Sequence, residues 1–205
     1  MINLNQEWIK PKKPIPIVIF GAGSIANDAH LPAYEKSGFK VLGIYDPDIE
    51  KAQNLATKFN LDIFHSLEEA IDQENVIFDL ATPPEVHTEI LKFLPEKSGV
   101  LIQKPMGSNL DEATKILEIC NTRSLKAAVN FQLRFAPMMI ALKDAINSGL
   151  LGTIVDFDAW LALDTPWSLW KFLENLPRVE ILLHSIHYFD FIRSILGNPI
   201  GVKAK

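Results

Sequence analysis

A glycine-containing turn directly follows a short β-branched run near the start of the chain. The run is Ile15-Pro16-Ile17-Val18-Ile19-Phe20, and the turn is Gly21-Ala22-Gly23-Ser24-Ile25-Ala26. The first glycine would permit a tight turn, and the second would let the backbone approach a phosphate closely. The helix that follows would point its positive N-terminus at the negative charge. The pattern predicts a dinucleotide pyrophosphate site, with contacts from Gly21, Gly23, Ser24 and Ile25.

An acidic residue follows the next strand-like run. Asp46 lies roughly twenty residues beyond the glycines, where a carboxylate can accept hydrogen bonds from both hydroxyls of a ribose. A carboxylate there would repel a 2′-phosphate, so Asp46 favours NAD, with NADP as the weaker alternative. Asp46-Pro47-Asp48 could also be only a turn and N-cap before a helix at 49–59. Both interpretations can hold together, because Asp48 can cap while Asp46 binds.

Two further polar clusters follow apolar runs. Ala81-Thr82-Pro83-Pro84-Glu85-Val86-His87 comes after 76–80, and Gln103-Lys104-Pro105 comes after 100–102. Both would lie at the carboxyl edge of a parallel sheet, where ligands bind. Lys104 could reach a substrate hydroxyl or the nicotinamide ribose. The alternatives are a helix cap for Thr82, a surface position for His87 and an ordinary solvated lysine.

The last two clusters lie in the second half of the chain. Asn130 and Arg134 mark a strand-to-helix junction, where the arginine could orient a polyol or carboxylate, or tie two domains together. On a helix, Glu180, His184 and His187 would share one face. A histidine there could exchange an alcohol proton during hydride transfer. A Glu/His/His metal face and a simple polar stripe are the alternatives, but no fourth ligand is visible and we expect no metal.

Composition narrows the class of protein. The chain has 205 residues, of which 48% are apolar and 22% charged, as in soluble globular proteins. The net charge of −5, without a long basic run, argues against a nucleic-acid partner. A single cysteine, Cys120, fits a reducing compartment and is interpreted as core filler. Residues 1–13 form a polar arm without the apolar stretch of a signal peptide, and no run approaches the roughly 20 apolar residues of a membrane span. We therefore expect a cytoplasmic protein with no membrane partner.

Strand-like and helix-like segments alternate up to about residue 130. Strands are expected near 15–20, 40–45, 62–64, 76–80, 99–102 and 125–130, with helices near 25–36, 49–59, 67–72, 85–94 and 109–122. This alternation predicts an α/β fold with a doubly wound parallel sheet, a Rossmann domain spanning residues 1–130.

The pattern changes after residue 131. A helix near 137–148 ends at Gly149, a long strand candidate spans Thr153–Leu163, and a helix near 179–196 precedes an apolar segment at 200–202. Residues 131–205 thus predict a partial α+β domain. So short a sheet would leave an apolar surface exposed, for which Leu161, Leu163, Trp167 and Trp170 are candidates. We expect this region either to pair with another copy of the chain, forming a homo-oligomer, or to stay mobile.

Taken together, these clusters resemble the Gfo/Idh/MocA oxidoreductases, the relatives of glucose–fructose oxidoreductase and inositol dehydrogenase. The matching pieces run in family order along nearly the whole chain: the glycine turn with His30-Leu31-Pro32-Ala33, Ala81-Thr82-Pro83-Pro84 with His87, Lys104-Pro105, Asn130 with Arg134 and Pro137, Gly149 and Gly152, and His187 with Asp190.

The resemblance implies hydride exchange between NAD(P) and a sugar, cyclitol or related alcohol. It also implies a second domain whose open sheet covers the substrate. In that family the lysine of a Glu-Lys-Pro motif and the histidine of an Asp-x-x-x-His motif serve the chemistry, which here assigns Lys104 and His187 as catalytic. The remaining expected contacts are Thr82, Pro83 and His87 to the cofactor, and Asn130, Arg134, His184 and Trp167 to the substrate.

Three departures from the family pattern leave two classes of function open. Gln103 replaces the usual glutamate, and Leu183 stands where an aspartate would precede His187 by four residues. The proton relay is therefore not the usual one, and His184 or Glu180 could substitute. Family members also continue well past residue 205, so the chain is expected to be truncated. The two classes are an NAD-dependent dehydrogenase and a noncatalytic dinucleotide-binding sensor or remnant.

Overall fold

Six parallel strands form the single sheet found among the residues described by the computed structural model, which are 2–165, 173 and 178–203. They are β1 (Ile17–Phe20), β2 (Val41–Tyr45), β3 (Asp62–Ile63), β4 (Ile77–Leu80), β5 (Gly99–Ile102) and β6 (Lys126–Val129). Their order in the sheet is β3-β2-β1-β4-β5-β6, the order of a doubly wound dinucleotide-binding fold. The predicted α/β class is confirmed. Strands β2 and β3 are added on one side of β1, whereas β4, β5 and β6 are added on the other side. Ligands are expected at the carboxyl ends of β1 and β4, where the order of the strands changes direction.

Helices connect the strands and cover both faces of the sheet. They are α1 (Leu31–Ser37), α2 (Ile49–Phe59), α3 (Leu67–Ile71), α4 (His87–Phe93) and α5 (Leu110–Thr122), and a π-helical turn at Ala26–His30 precedes α1. Three of them begin where the side chain of Asp48, Ser66 or Asn109 accepts a backbone N–H three residues ahead. These caps fix where α2, α3 and α5 start.

The core consists of two apolar layers, one on each face of the sheet. Phe20, Phe78 and Leu80 contribute to one layer, and Ile19 and Ile44 contribute to the other. All four residues of β1 are buried, because this central strand has helices on both sides. Each fully buried side chain of this size stabilises the fold by about 1.5–3 kcal/mol. The glycine turn therefore follows a central strand that is buried along its whole length.

The chain forms two compact units. The first unit is Pro11–Asn130, and the second unit combines Met1–Lys10 with Phe131–Lys205. The N-terminal arm was expected to belong with the first domain, but it packs with the second unit. The backbone N–H of Asn5 donates to the Asp144 carboxylate at 2.9 Å, and the Trp8 ring meets Phe135 edge-on with centroids 5.0 Å apart.

Helices dominate the described part of the second unit. A 3₁₀ turn at Gln132–Phe135 leads into α6 (Pro137–Asn147), and a π-helical turn at Ile181–Ser185 leads into α7 (Ile186–Leu196). Gly149, just beyond α6, has φ of +75°, as expected for a helix stop. No helix within the described ranges is long and apolar enough to span a bilayer.

The predicted strand at Thr153–Leu163 is wrong, because none of these residues is in a strand. The apolar pattern fits a strand, but strand pairing also needs a neighbouring edge, and every described strand lies in the sheet of the first unit. Val155 and Trp160 are each 93% exposed as a result. Residues 200–202 likewise form no strand, so the described part of the second unit is not α+β.

Candidate active site

The glycine turn begins at the end of β1 and lies against the segment that follows β4. The N–H of Gly21 donates to the Tyr45 carbonyl at 2.8 Å, and its φ of +99° favours glycine. A Cβ on Gly21 would lie 2.6 Å from the carbonyl oxygen of Ala81, so only glycine fits. A Cβ on Gly23 would meet no protein atom within 4 Å. Packing does not require glycine at position 23, and the backbone there is open to a ligand.

A helix starts directly behind this open backbone. Ser24 and Ile25 are its first residues, and the bond from the Asn27 N–H to the Gly23 carbonyl, 3.1 Å, is the first of its turns. The first N–H groups of a helix have no partner within it, and they attract anions. Gly23 and Ser24 are exposed, so this helix start is accessible.

Asp46 fastens the end of β2 to the glycine turn. Its Oδ2 accepts the N–H of Ala22 at 2.7 Å, and its Oδ1 accepts the N–H of Asp48 at 2.8 Å. Asp48 caps α2 through the N–H of Lys51, as the turn interpretation expected. Each carboxylate oxygen has a second lone pair. The structural bonds of Asp46 thus leave it able to accept a ribose hydroxyl.

Thr82 places a buried hydroxyl beside the glycine turn. Its methyl group is 3.1 Å from where a Cβ on Gly21 would lie, and its Oγ1 is buried with no hydrogen-bond partner among the described residues. A 3₁₀ turn at Pro84–Val86 follows, and no side-chain cap bond holds it, so the expected helix cap from Thr82 is absent. A buried hydroxyl without a partner is costly unless a ligand supplies one.

His87 lies in the protein interior and not on the helix surface that was one alternative. Its Nε2 is 3.1 Å from the Thr82 carbonyl oxygen, and its Nδ1 is 3.2 Å from that of Met106. Burial lowers the pKa of the imidazole below its ordinary value, although the two carbonyls oppose this shift. Since both partners are carbonyl oxygens, which only accept, the neutral ring donates to one of them while the other nitrogen lies against the second. His87 thus lies between the loop after β4 and the loop after β5.

Lys104 follows the buried Gln103 in the loop after β5. Its side chain is half-buried, and this burial lowers the pKa of the amine. The interpretation as an ordinary solvated lysine is therefore wrong. The Lys104–Pro105 peptide bond is cis.

A buried hydrogen-bonded network beneath this edge of the sheet was not anticipated from the sequence. The Asp79 carboxylate receives the Tyr34 hydroxyl at 2.8 Å and lies 2.7 Å from Nδ1 of His30. Nε2 of His30 is 3.2 Å from Nδ2 of Asn130, which is 3.1 Å from Oε1 of Gln103. The one available signal was the charged Asp79 within an otherwise apolar strand run.

In the second unit, Arg134 is held by Asp190. Its Nε donates to the Asp190 carboxylate at 2.6 Å, and Nη2 donates to the other carboxylate oxygen and to the backbone carbonyl. This two-pronged geometry joins the 3₁₀ turn to α7. Of the two interpretations, the contacts support a structural tie, and the tie lies within the second unit.

The expected polar face before and within α7 is only partly formed. Glu180 and His184 pair at 2.9 Å, whereas His187 is buried and meets the Phe131 ring edge-on at 6.0 Å. The π-helical turn between them inserts an extra residue and changes which side chains align. Leu183 is buried in a small apolar cluster. Across the described ranges, no three His, Cys, Asp or Glu side chains gather as a metal site. Trp167 lies outside the described residues.

Comparisons with known proteins agree with this geometry. A family model described as "Oxidoreductase family, NAD-binding Rossmann fold" matches residues 15–131. Glucose-6-phosphate 3-dehydrogenase of Bacillus subtilis is 30% identical over 141 residues, covering 68% of this chain and 40% of that protein. Inositol 2-dehydrogenase of Rubrobacter xylanophilus is 26% identical over 153 residues, covering 71% of this chain and 43% of that protein.

The fold is shared with solved structures over most of the chain. The WlbA dehydrogenase from Bordetella pertussis, solved with NADH and UDP-GlcNAcA, superposes with a TM-score of 0.69 at 20% identity. The match covers 90% of this chain and 59% of that one. The chain spans about half the length of the curated relatives it matches, such as 55% and 52% of two of them. With the family model spanning the whole sheet and the glycine turn, the chain belongs to the GFO_IDH_MocA oxidoreductase family, whose Rossmann domain binds NAD(P).

Proposed function

We propose that this protein is an NAD-dependent dehydrogenase that transfers a hydride between the nicotinamide and a sugar, cyclitol or related alcohol. The observation that carries the proposal is the open backbone at Gly23. In the same turn, Gly21 lies against Thr82, whose hydroxyl has no hydrogen-bond partner among the described residues, and Ala22 is bound by the half-buried Asp46 carboxylate. The two curated relatives described above act, by their names, on a sugar phosphate and on inositol.

The residues at this edge fit a dinucleotide. The backbone of Gly21, Gly23, Ser24 and Ile25 would hold the pyrophosphate at the start of the helix. Thr82 would offer its hydroxyl to the dinucleotide, and Pro83 is exposed beside it. The contact of His87 with the Thr82 carbonyl would hold the loop after β4 in place. When bound, the nicotinamide ring supplies the site that accepts or gives the hydride.

Asp46 supports NAD over NADP. Its carboxylate is already fixed by the N–H groups of Ala22 and Asp48, so it cannot easily turn away from the ribose. A 2′-phosphate would bring negative charge against this fixed carboxylate, and no arginine neighbours Asp46 in sequence.

Lys104 is the group proposed to handle the alcohol proton. A lysine is normally protonated at neutral pH, but the lowered pKa brings its amine closer to the range in which it can both accept and give a proton. His187 is proposed as the second catalytic residue on the resemblance alone. Leu183 stands where the family pattern has an aspartate that assists proton transfer. His184, which pairs with Glu180, is the candidate to replace that aspartate.

The experiment that tests the proposal measures binding and turnover separately. Calorimetry with NAD and NADP gives the affinity of each, and a panel of sugars, sugar phosphates, nucleotide sugars and cyclitols is then screened for nicotinamide reduction. Tight NAD binding with reduction by one member of the panel supports the dehydrogenase. Absence of NAD binding contradicts the proposal.

A noncatalytic sensor is the second candidate. Gln103 and Leu183, in place of the two acidic residues of the family pattern, favour it, because both changes remove a charge from the expected proton relay. NAD binding without reduction of NAD by any member of the panel would support the sensor.

We also propose that copies of the chain associate through the second unit, in the cytoplasm. Val155, Trp160 and Leu163 expose large apolar side chains there, as interface residues do. Light scattering combined with hydrogen exchange tests this: a monomer with strong protection across 151–163 would contradict it.

A further inference from the structure

Which groups donate and which accept can be assigned along the buried network. Its members are Tyr34, Asp79, His30, Asn130 and Gln103. Burial, together with the neighbouring Asp79, raises the pKa of Tyr34 well above its ordinary value, so the hydroxyl keeps its proton and donates it. The same carboxylate oxygen lies 2.7 Å from Nδ1 of His30. Because a carboxylate oxygen only accepts, Nδ1 must carry the hydrogen.

The tautomer of His30 in turn determines the orientation of the Asn130 side chain. A neutral imidazole with hydrogen on Nδ1 has an acceptor at Nε2. The atom that faces Nε2 is the amide nitrogen of Asn130, 3.2 Å away, which donates to it. The second hydrogen of that amide points to Oε1 of Gln103 at 3.1 Å. Both amide hydrogens of Asn130 are therefore used, one toward His30 and one toward Gln103. These two contacts distinguish the nitrogen of the amide from its oxygen.

One polar group of Asn130 remains. No described residue donates to its carbonyl Oδ1, and the side chain is half-buried directly after β6, at the carboxyl edge of the sheet. Lys104 follows Gln103 at the same edge, after β5. The network therefore ends, at the edge where ligands bind in such folds, in a group that can only accept a hydrogen bond.

We propose that His30 is a positioning residue that fixes Asn130 with its carbonyl oxygen presented to a hydroxyl of the substrate. Asp79 and Tyr34 set the tautomer of His30, and His30 with Gln103 sets the orientation of Asn130. This specifies a neutral hydroxyl donor at that point, because a carboxylate or phosphate there would place negative charge against a carbonyl oxygen. The role of Asn130 as a substrate contact rests on the proposed function, whereas the tautomer and the orientation do not.

The first test needs no substrate. Long-range ¹⁵N–¹H correlation spectra of the labelled full chain report which ring nitrogen of His30 carries hydrogen. We expect hydrogen on Nδ1 and a bare Nε2, and the same in Tyr34→Phe, which leaves Asp79 in place. Asn130→Asp replaces the donor facing Nε2 by acceptors, so it should move a hydrogen onto Nε2. Hydrogen on Nε2 in the wild type, or no change in Asn130→Asp, would overturn the proposal. His65, on the surface, serves as the internal reference.

The second test uses two replacements of His30 that each keep one half of its function. An asparagine amide reaches the position of Nδ1, and a glutamine carbonyl reaches that of Nε2. If the role is to orient Asn130, His30→Asn should raise KM for the alcohol about 10-fold, a change of about 1.4 kcal/mol, with kcat and NAD affinity little changed. His30→Gln, which keeps an acceptor facing Asn130, should have a KM for the alcohol much closer to that of the wild type. Equal KM in the two variants would contradict the role toward substrate, and failure of the chain to reduce NAD at all would count against the proposed function while the spectra still decide the tautomer.

Discussion

The carboxylate of Asp46 accepts the backbone N–H of Ala22 at 2.7 Å, which fastens the end of β2 to the middle of the glycine turn. Asp46 therefore has two tasks, one for the shape of the turn and one for the ribose. Asp46→Ala should weaken NAD binding about 10- to 100-fold and reduce the preference for NAD over NADP, because the repulsive charge is removed. Calorimetry with both dinucleotides measures the two effects. Equal NAD affinity in wild type and variant would remove Asp46 from the site.

A matched variant separates the two tasks of this carboxylate. Asp46→Asn keeps one oxygen that can accept the N–H of Ala22, but it removes the charge. We expect its preference for NAD to fall more than its affinity for NAD. A variant whose affinities for NAD and NADP fall by the same factor, so that the preference is unchanged, would mean that Asp46 acts only by shaping the turn.

The two glycines of the turn should differ in what their substitution costs. Gly21→Ala places a Cβ 2.6 Å from the Ala81 carbonyl oxygen at a φ of +99°. The free energy of unfolding should fall by at least about 1–2 kcal/mol, the ordinary cost of that backbone region for a residue with a Cβ. Gly23→Ala meets no atom and should unfold at the wild-type denaturant concentration, yet bind NAD more weakly because the methyl group takes the space of the phosphates. Wild-type NAD affinity in Gly23→Ala would show that the phosphates lie elsewhere.

Lys104 should be needed for turnover and not for folding. Lys104→Met should lower kcat about 10²–10⁴-fold, with NAD affinity nearly unchanged. Since burial lowers the pKa of the amine, and only the neutral amine accepts a proton, alcohol oxidation should rise with pH through a midpoint below the ordinary lysine value of 10.5. The variant should lose this limb of the pH profile. The control is Lys92→Met, on an exposed face of α4, which should change neither kcat nor the profile.

His87 should make the first unit sensitive to acid. The folded pKa lies below the ordinary value of 6.5, so the unfolded chain takes up a proton first. The stability that His87 contributes is therefore complete above 6.5 and is lost as pH falls through the lower, folded pKa. His87→Gln should be less stable than wild type by about 1–3 kcal/mol near neutral pH, because it loses the buried hydrogen bond that the imidazole donates. This gap should narrow on acidification, which urea titrations at several pH values would show. A gap that does not change with pH would mean that His87 does not titrate in this range.

The sheet of the first unit could be predicted from the chain because each of its strands is a local pattern. Ile17–Phe20 is apolar throughout, and the turn residues beside it permit only a few geometries. The strand predicted at Thr153–Leu163 is wrong even though the prediction rested on the same kind of pattern. A strand exists only when another strand pairs with it. The residues of the segment do not show whether such a partner is present.

The contacts at the site were harder to predict because they join distant residues. Asp46 is 24 residues from Ala22, and His30 is 100 residues from Asn130. The π-helical turn at Ala26–His30 has no period in the sequence that would mark it. Arg134 could be read as a substrate contact or as a tie, and only the position of Asp190 favours the tie.

The packing of the N-terminal arm with the second unit affects the order in which the chain can fold during synthesis. The partners of Asn5 and Trp8 are Asp144 and Phe135, which the ribosome adds only after the last strand of the sheet. The sheet can close as soon as β6 emerges, since domains generally fold as units. The arm therefore has no contact of this kind until the residues after β6 have been made. Substitutions that remove the Asn5 N–H or the Trp8 ring would accordingly disturb the second unit, more than a hundred residues further along the chain, and leave the sheet of the first unit intact.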